Sequence, residues 1–383
     1  MNFRRNNYPS FKAWAEVASY EPNAGVKEYH AWLHVDANGD RFESQLDRLQ
    51  QAYRLLIAQY PSAQVVMRRY VLSDIANQTP LLHTRLDEEK QGLGAISVIG
   101  QPPLDGSKVA LWIYLTEGLE VEHGQNQTLT RHNGYEHRWT TNCLSLNEGS
   151  YAQTTEILER YEAELAQQRM TLGENCLRTW FYIRDVDTHY HGMVVSRREN
   201  FEAQNLTAQT HYIASTGIGG APIEQSSLVQ MDAYAASGLL PEQQCYLHGS
   251  THLNPTHEYG VTFERGTAVT YGDRRHLLIS GTASINNRGE VMHPGDIVAQ
   301  TERMLDNISV LLAEGGASME DIAQSIVYLR DVADYSVVFQ MLEKRLPHLP
   351  RVITLAPVCR PAWLIEMECI AIIPQRVNTY KDY

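Results

Sequence analysis

The sequence predicts an α+β protein made of three tandem copies of one unit, and three observations carry that prediction. A strand phrase led by tyrosine and closed by aspartate occurs three times, as Tyr70-Val71-Leu72-Ser73-Asp74-Ile75, Tyr182-Ile183-Arg184-Asp185-Val186 and Tyr328-Leu329-Arg330-Asp331-Val332. A stretch with helical periodicity precedes each copy, and a second strand follows each one. The phrase is loose enough for one or two matches to arise by chance, but three with the same flanking elements mark an internal repeat. The length, 383 residues, exceeds one ordinary core and suggests two or three domains.

In the first unit, residues 1–125, Leu46, Leu49, Tyr53 and Leu56 recur at three- and four-residue steps and predict an amphipathic helix. The strand at Tyr70 to Leu72 is aromatic and aliphatic, Asp74 closes it by bonding its own backbone in a turn, and Val109 to Leu115 is the later strand. In the second unit, residues 126–250, Ile157, Tyr161 and Leu165 give the helix, the Tyr182 phrase the first strand and Leu228 to Tyr234 the later one. Thr216-Gly217-Ile218-Gly219 reads as a loop whose glycines permit close backbone approach to a ligand. No Lys-Ser/Thr follows it, so it is weak as a phosphate loop.

The third unit, residues 251–383, is the clearest. His276 to Ile285 reads as a strand in which Gly281 admits another backbone or a ligand. Asn286-Asn287-Arg288-Gly289 is a turn. Asp296 is the N-cap of a long helix with Leu305, Ile308 and Leu312 on one face and a stop at Glu314-Gly315-Gly316. Val352 to Leu355 and Leu364 to Ile372 are strands.

Composition narrows the class. The chain is 43% hydrophobic and 20% charged, as in soluble globular proteins. With 32 basic against 45 acidic residues the net charge is −13, and no Lys/Arg block is present to displace counterions, so nucleic acid is excluded as a partner. No apolar run reaches bilayer length, and no apolar segment follows the charged residues near the N-terminus. Five scattered cysteines without a CxxC suit a reducing cytosol and argue against a thiolate zinc site. The histidines (His248, His252 and His257; His189 and His191) lack specific metal spacing, so neither a metal nor another cofactor is expected. The expectation is a cytoplasmic protein with no membrane partner.

At Ser280-Gly281, the helix around Gln300 to Leu312, the strand Val327 to Arg330, Pro350-Arg351 and Ile365-Glu366-Met367-Glu368, the third unit resembles the Rid superfamily. That resemblance implies small units whose sheets pack into a trimeric, barrel-like assembly with ligand sites in clefts between neighbouring units. It implies further that Arg351 grips a substrate carboxylate, that Glu366 handles water or protons, and that Gly281 lines the pocket. Over roughly the last two-thirds the chain is similar to the chorismatases, which use a Rid-like fold to remove the enolpyruvyl group of chorismate. This likeness rests on Phe263-Glu264-Arg265, Ser280 to Ile285, His293-Pro294-Gly295-Asp296, Val358-Cys359-Arg360, Arg178 to Ile183 and Ala214 to Gly219. It implies that Cys359 and Glu366 lie beside the substrate. The chain departs from chorismatases at Glu258-Tyr259, where a Pro-Arg pair is expected and an arginine would help hold a dicarboxylate. Against simple imine deaminases, Phe339 stands where Asn is common and Ile353 where Cys is common.

These readings combine into three Rid-like units closing as an intramolecular pseudo-trimer, because each sheet has edges and a face to bury and its siblings can cover them. The chain is then a monomer, or a homo-oligomer of such monomers. Arg351 is a bidentate carboxylate clamp, or else a surface arginine at a strand start. Glu366 and Glu368 share a strand face; if it closes onto a cleft, one pKa rises and Glu366 is the acid–base, with Glu368 structural or behind it. Cys359 is a pocket wall, or a reactive thiol if exposed beside Arg360. Arg265 bonds the cleft or supports it, and Arg178, Tyr182, Gly217 and Gly219 are the second unit's contribution to substrate binding. Only the third unit carries Arg351, Glu366 and Cys359 together, so a single working cleft is expected between the second and third units. Three functions fit: a chorismatase-like enzyme acting on a small carboxylate, an enamine/imine deaminase, or a non-catalytic carboxylate-binding protein.

Overall fold

The structure is a computed structural model that describes residues 1–89 and 94–383. It contains three six-stranded mixed sheets. The first is made of β1 (Asn2–Tyr8), β2 (Ala13–Tyr20), β3 (Lys27–Val35), β4 (Gln64–Leu72), β5 (Ala95–Gly100) and β6 (Val109–Glu117), with helices α1 (Phe42–Ala58) and α2 (Ile75–Asp87). The second contains β7 (Glu120–Gly124), β8 (Gln127–His132), β9 (Tyr135–Leu144), β10 (Cys176–Ile183), β11 (Ala214–Gly219) and β12 (Val229–Ser237), with α3 (Ser150–Gln167), the short α4 (Leu172–Asn175) and α5 (Val186–Ala203). The third contains β13 (Gln244–Leu247), β14 (Gly266–Thr270), β15 (Arg274–Ala283), β16 (Ile322–Leu329), β17 (Arg351–Leu355) and β18 (Ile365–Pro374), with α6 (Ile297–Glu314) and α7 (Tyr335–Arg345).

The strand order is the same each time: a three-stranded meander, then the last strand, then the fourth and the fifth, as in β13-β14-β15-β18-β16-β17. The fourth and fifth strands run parallel, which requires a crossover, and α2, α5 and α7 supply it. The expected helices, turns and later strands are present. Asp296 accepts from the Ala299 amide at 3.0 Å as the N-cap of α6. The aspartates that close the repeated phrase act similarly at Asp74 and Asp331, which accept from the Asn77 and Ala333 amides. Asp185 departs from this: it takes a left-handed φ of 46° and makes no side-chain cap.

Two features were not legible. The meanders of the first two units start with strands such as Asn2–Tyr8 and Glu120–Gly124, whose polar edge residues show no apolar alternation. Thr216 to Gly219 is not a loop but part of β11, pairing with Trp180 to Ile183 of β10. Its glycines serve close packing: a β-carbon on Gly219 would collide with Pro357, and one on Gly217 would press on the Tyr190 ring.

Each sheet buries one face under its own helices and turns the other toward its siblings. The helix-facing cores are separate, for example Leu46, Leu49, Leu56 and Leu111 in the first unit and Ile157, Tyr161, Phe181 and Met231 in the second. The inner faces meet at Trp32, Trp112, Trp139, Trp180 and Tyr328. Backbone bridges close the ring: Gly100 with Ala221, Ile218 with Val358, and Pro103 with Thr354. At its centre Arg69 Nη2 donates to Asp232 Oδ2 at 3.0 Å, and its guanidinium lies 4.7 Å from the Trp180 ring centroid. One buried charge therefore ties the first unit to the second, and removing either partner would cost about 3–5 kcal/mol. Among the described residues no helix is long and apolar enough to cross a membrane.

Candidate active site between the second and third units

The repeated register defines equivalent positions around the ring. Counting back from Asp74, Asp185 and Asp331, the strand pairs Val71–Ala110, Tyr182–Gln230 and Tyr328–Glu366 coincide. So do Arg68–Ile96, Thr179–Ser215 and Ser325–Arg351 on the parallel strands. The fifth strand of the first unit packs on the third strand of the second, and the fifth strand of the second on the third strand of the third.

The cleft between the second and third units holds a narrow cavity of about 30 Å³. Tyr190, Arg197 and Ser215 to Gly217 come from the second unit; Tyr259, Phe263, Arg265, Gly281, Cys359, Arg360, Trp363 and Glu366 are among those from the third. It has room for about two or three water molecules.

Glu366 enters the cavity because β18 alternates there, with Ile365 and Met367 turned into the core and Glu366 and Glu368 turned to the cleft side. The two carboxylates are treated differently. Glu368 is fully engaged: it accepts from Arg178 Nη2 at 2.9 Å and Trp180 Nε1 at 2.7 Å, with Arg69 Nη1 at 4.0 Å. Glu366 lies over Gly281, where any β-carbon would collide with its carboxyl oxygen. Burial and the charge of Glu368 push the Glu366 carboxyl up to about 8, against the pull of Arg178 and Arg265. At neutral pH it is therefore a protonated acid.

Arg197 of α5, 1% exposed, lines the same cavity. Its Nη1 donates to Ser215 Oγ at 3.3 Å, while Nε and Nη2 have no hydrogen-bond partner. Burial pulls this guanidinium below its ordinary value. Leaving two charged donors unmade in the interior is costly, and an anion in the cavity would satisfy both. Arg265 lies in the opposite wall, anchored by Nη2 to Asn254 O at 3.0 Å and Oδ1 at 3.2 Å, with Nε unpartnered.

The structure thus brings together Glu366, Cys359, Gly281, Arg265 and Gly217. Cys359 forms a wall of the cavity, where burial and Glu366 push its thiol up to about 12, outweighing Tyr190 and the Arg360 charge. Arg178 sits behind the cavity, donating to Thr216 Oγ1 and Glu368, and so positions both walls. Tyr182 lies at the ring centre, 5.6 Å from the Arg69 guanidinium, because it shares the inner face of β10 with Arg178 and Trp180. Gly219 is a junction, its N–H donating to Pro357 O and its carbonyl accepting from Gln101 Nε2.

Arg351 is the largest correction. It does not reach the cavity: its side chain pairs with Glu343 and donates to Leu346 O at 2.7 Å, and its amide donates to Glu16 Oε2 of the first unit at 3.4 Å. The reason is the ring geometry. The start of a fifth strand faces the next unit, so Arg351 looks into the cleft toward the first unit, where Ala110 occupies the place of Glu366. In the cleft that holds Glu366, the equivalent position is Ser215, and Arg197 brings the guanidinium to it.

The sequence reading passes over Arg197 because Ser196-Arg197-Arg198-Glu199 looks like a solvated helix face. One signal was present: Met193, Val194, Arg197 and Phe201 fall on one helical face, and all four are buried.

Comparisons with known proteins bear on the family and the fold. A family model described as endoribonuclease L-PSP matches residues 266–373, which span β14 to β18. Over 97 residues the chain is 30% identical to the 3-aminoacrylate deaminase RutC of Acinetobacter baylyi, covering 25% of this chain and 77% of that protein. Over 98 residues it is 33% identical to a RutC family protein of Pyrococcus abyssi, covering 25% and 76%. A crystal structure of a chorismatase matches with a TM-score of 0.61 and 19% identity over 80% of this chain and 92% of that one. At that identity the likeness is one of fold, and its extent exceeds the two-thirds that the motifs indicate.

Proposed function

The chain belongs to the Rid superfamily, and from that premise we propose that it is an enzyme of chorismatase-like type, acting on a small carboxylate in the cavity between its second and third units. The observation that carries this reading is the pairing of a carboxyl held protonated to about pH 8 with a buried guanidinium that has two unmade hydrogen bonds.

The chemistry follows from those two groups. Arg197 Nε and Nη2 form a planar fork for the carboxylate of an enolpyruvyl ether. Glu366 donates its proton to the terminal vinyl carbon, and the ether oxygen stabilises the cation that forms. Water adds to that cation, and collapse of the hemiketal releases pyruvate and the ring alcohol. The proton lost by the attacking water returns to Glu366. Nothing is consumed beyond substrate and water, and general acid catalysis of this kind contributes about 10²–10⁴-fold.

Incubation with chorismate tests the reading through loss of diene absorbance and release of pyruvate. Turnover abolished by Glu366→Gln supports it, and no turnover by the wild type sinks it. The small size of the cavity favours a second reading, a deaminase for short enamine or imine acids. There the same proton goes to the enamine carbon, water adds to the iminium, and ammonia leaves. Ammonia release without activity on chorismate would select it, and carboxylate binding with no product from either class would indicate a binding protein.

A further inference from the structure

One side chain that lines the cavity stands where the sequence departs from the chorismatase pattern. Tyr259 is half-buried at the mouth, and its ring centroid lies 5.3 Å from the Arg265 guanidinium and 5.1 Å from that of Arg360. It also packs edge-on against Trp363, with centroids 6.4 Å apart. The ring is therefore held between two cations that belong to the site.

The backbone beneath it is weakly tied. Thr256–Tyr259 forms a single 3-10 turn on the surface, ending at Gly260 with φ 85°, a conformation that favours glycine. Its hydrogen bonds are local, except that Thr256 Oγ1 donates to Phe263 O and Arg360 Nη2 donates to Tyr259 O at 2.9 Å. On the other side of this segment lies a second cavity of about 410 Å³, which shares Phe263 and Arg265 with the small one. Space for a ligand therefore adjoins the site, separated from it by the segment that carries Tyr259.

We propose that Tyr259 is the gate of this cavity and decides which ligands enter it: its ring occupies the place between Arg265 and Arg360 that an anionic group takes over on entry. An incoming anion competes for both guanidiniums and releases the ring, the turn swings about Gly260, and the two cavities join. A neutral molecule of the same size gains nothing from the arginines and meets a closed mouth. The anionic character of the ligand rests on the reading above; the gating itself does not.

The test uses Cys359, which lines the cavity beside Tyr259, in a full-length Cys245→Ser protein that lacks the exposed thiol. The rate of Cys359 modification by neutral methyl methanethiosulfonate is followed by peptide mass spectrometry, with half-buried Cys143 as an internal monitor of general opening. Loss of two cation–π contacts in Tyr259→Ala should speed Cys359 labelling roughly 5- to 30-fold without changing Cys143, while Tyr259→Phe stays near the wild-type rate. Unchanged labelling in Tyr259→Ala, or equal opening in Tyr259→Phe, overturns the gate. Benzoate is then added to each protein. Protection of Cys359 that disappears in Arg197→Ala supports the anion as the opening ligand. Faster labelling in Tyr259→Ala with no effect of benzoate on any variant leaves the gate standing and contradicts the carboxylate reading instead.

Discussion

The cleft between the first and second units and the cleft between the second and third are built from the same strands in the same register, yet at the position of Glu366 the two carry different chemistry. Where the latter has Glu366 and Gly281, the former has Gln230 and Asn142. Gln230 Nε2 donates to Asn142 Oδ1 at 2.9 Å and to Val98 O at 3.3 Å, and Asn142 Nδ2 donates to Ile96 O at 2.6 Å. These neutral amides satisfy each other beside a cavity of about 300 Å³ that Ile96, Val98 and Asn142 help to line. In the other cleft a carboxyl has no such partner and a guanidinium has two free donors. The difference teaches that a repeat can keep its fold in every copy while one copy replaces the charged groups of a cleft with a paired amide, because an amide pair is buried at far less cost than two charges.

The comparison breaks most visibly at Glu366. Glu366→Gln should lower turnover about 10²–10⁴-fold, measured as pyruvate or ammonia release, while leaving the fold intact. Next is the contrast between the two arginines. Arg197→Ala should weaken binding of a carboxylate such as benzoate about 10- to 150-fold by calorimetry. Arg351→Ala should leave that affinity unchanged and lower the thermal midpoint, since its partners are Glu343 and helix-end carbonyls. Equal effects on binding would place the ligand in the wrong cleft.

A smaller effect comes from the amide pair. Gln230→Glu removes both donated hydrogen bonds and should cost about 1–3 kcal/mol in urea unfolding, with no second binding event in a benzoate titration. The pH dependence of stability gives a gradual effect. Between about 4.5 and 8 the folded protein keeps a proton on Glu366 that the unfolded chain has lost, so this group makes stability fall as pH rises through that window. The slope, at most about 1.4 kcal/mol per pH unit, should disappear in Glu366→Gln, which becomes the more stable protein above pH 8.

Much of this was legible in the sequence. The thrice-repeated phrase marks the strand that ends at each crossover, so the three units could be counted. Glu366 and Gly281 could be placed because each lies on a strand readable from its sequence, while Arg265 and Gly217 were reached through the family resemblance and a loop that proved to be a strand. Arg351 could not be placed, because spacing within one unit does not say which neighbour its strand end faces once three units close into a ring. Tyr182 was misplaced for a related reason: its strand face is clear from the sequence, but whether that face looks toward the cleft or the ring centre is a property of the assembly. Tyr259 was visible only as a missing arginine, whereas the structure gives it a position between two others.

The central claim is that Glu366 is a protonated acid at neutral pH in the cleft between the second and third units. It is tested most directly by ¹³C NMR titration of side-chain-labelled glutamate, with Glu366→Gln used to assign the signal. The account predicts a carboxyl resonance that titrates near 8 and is absent from the variant. A Glu366 signal titrating near the ordinary value of about 4.3 would contradict it.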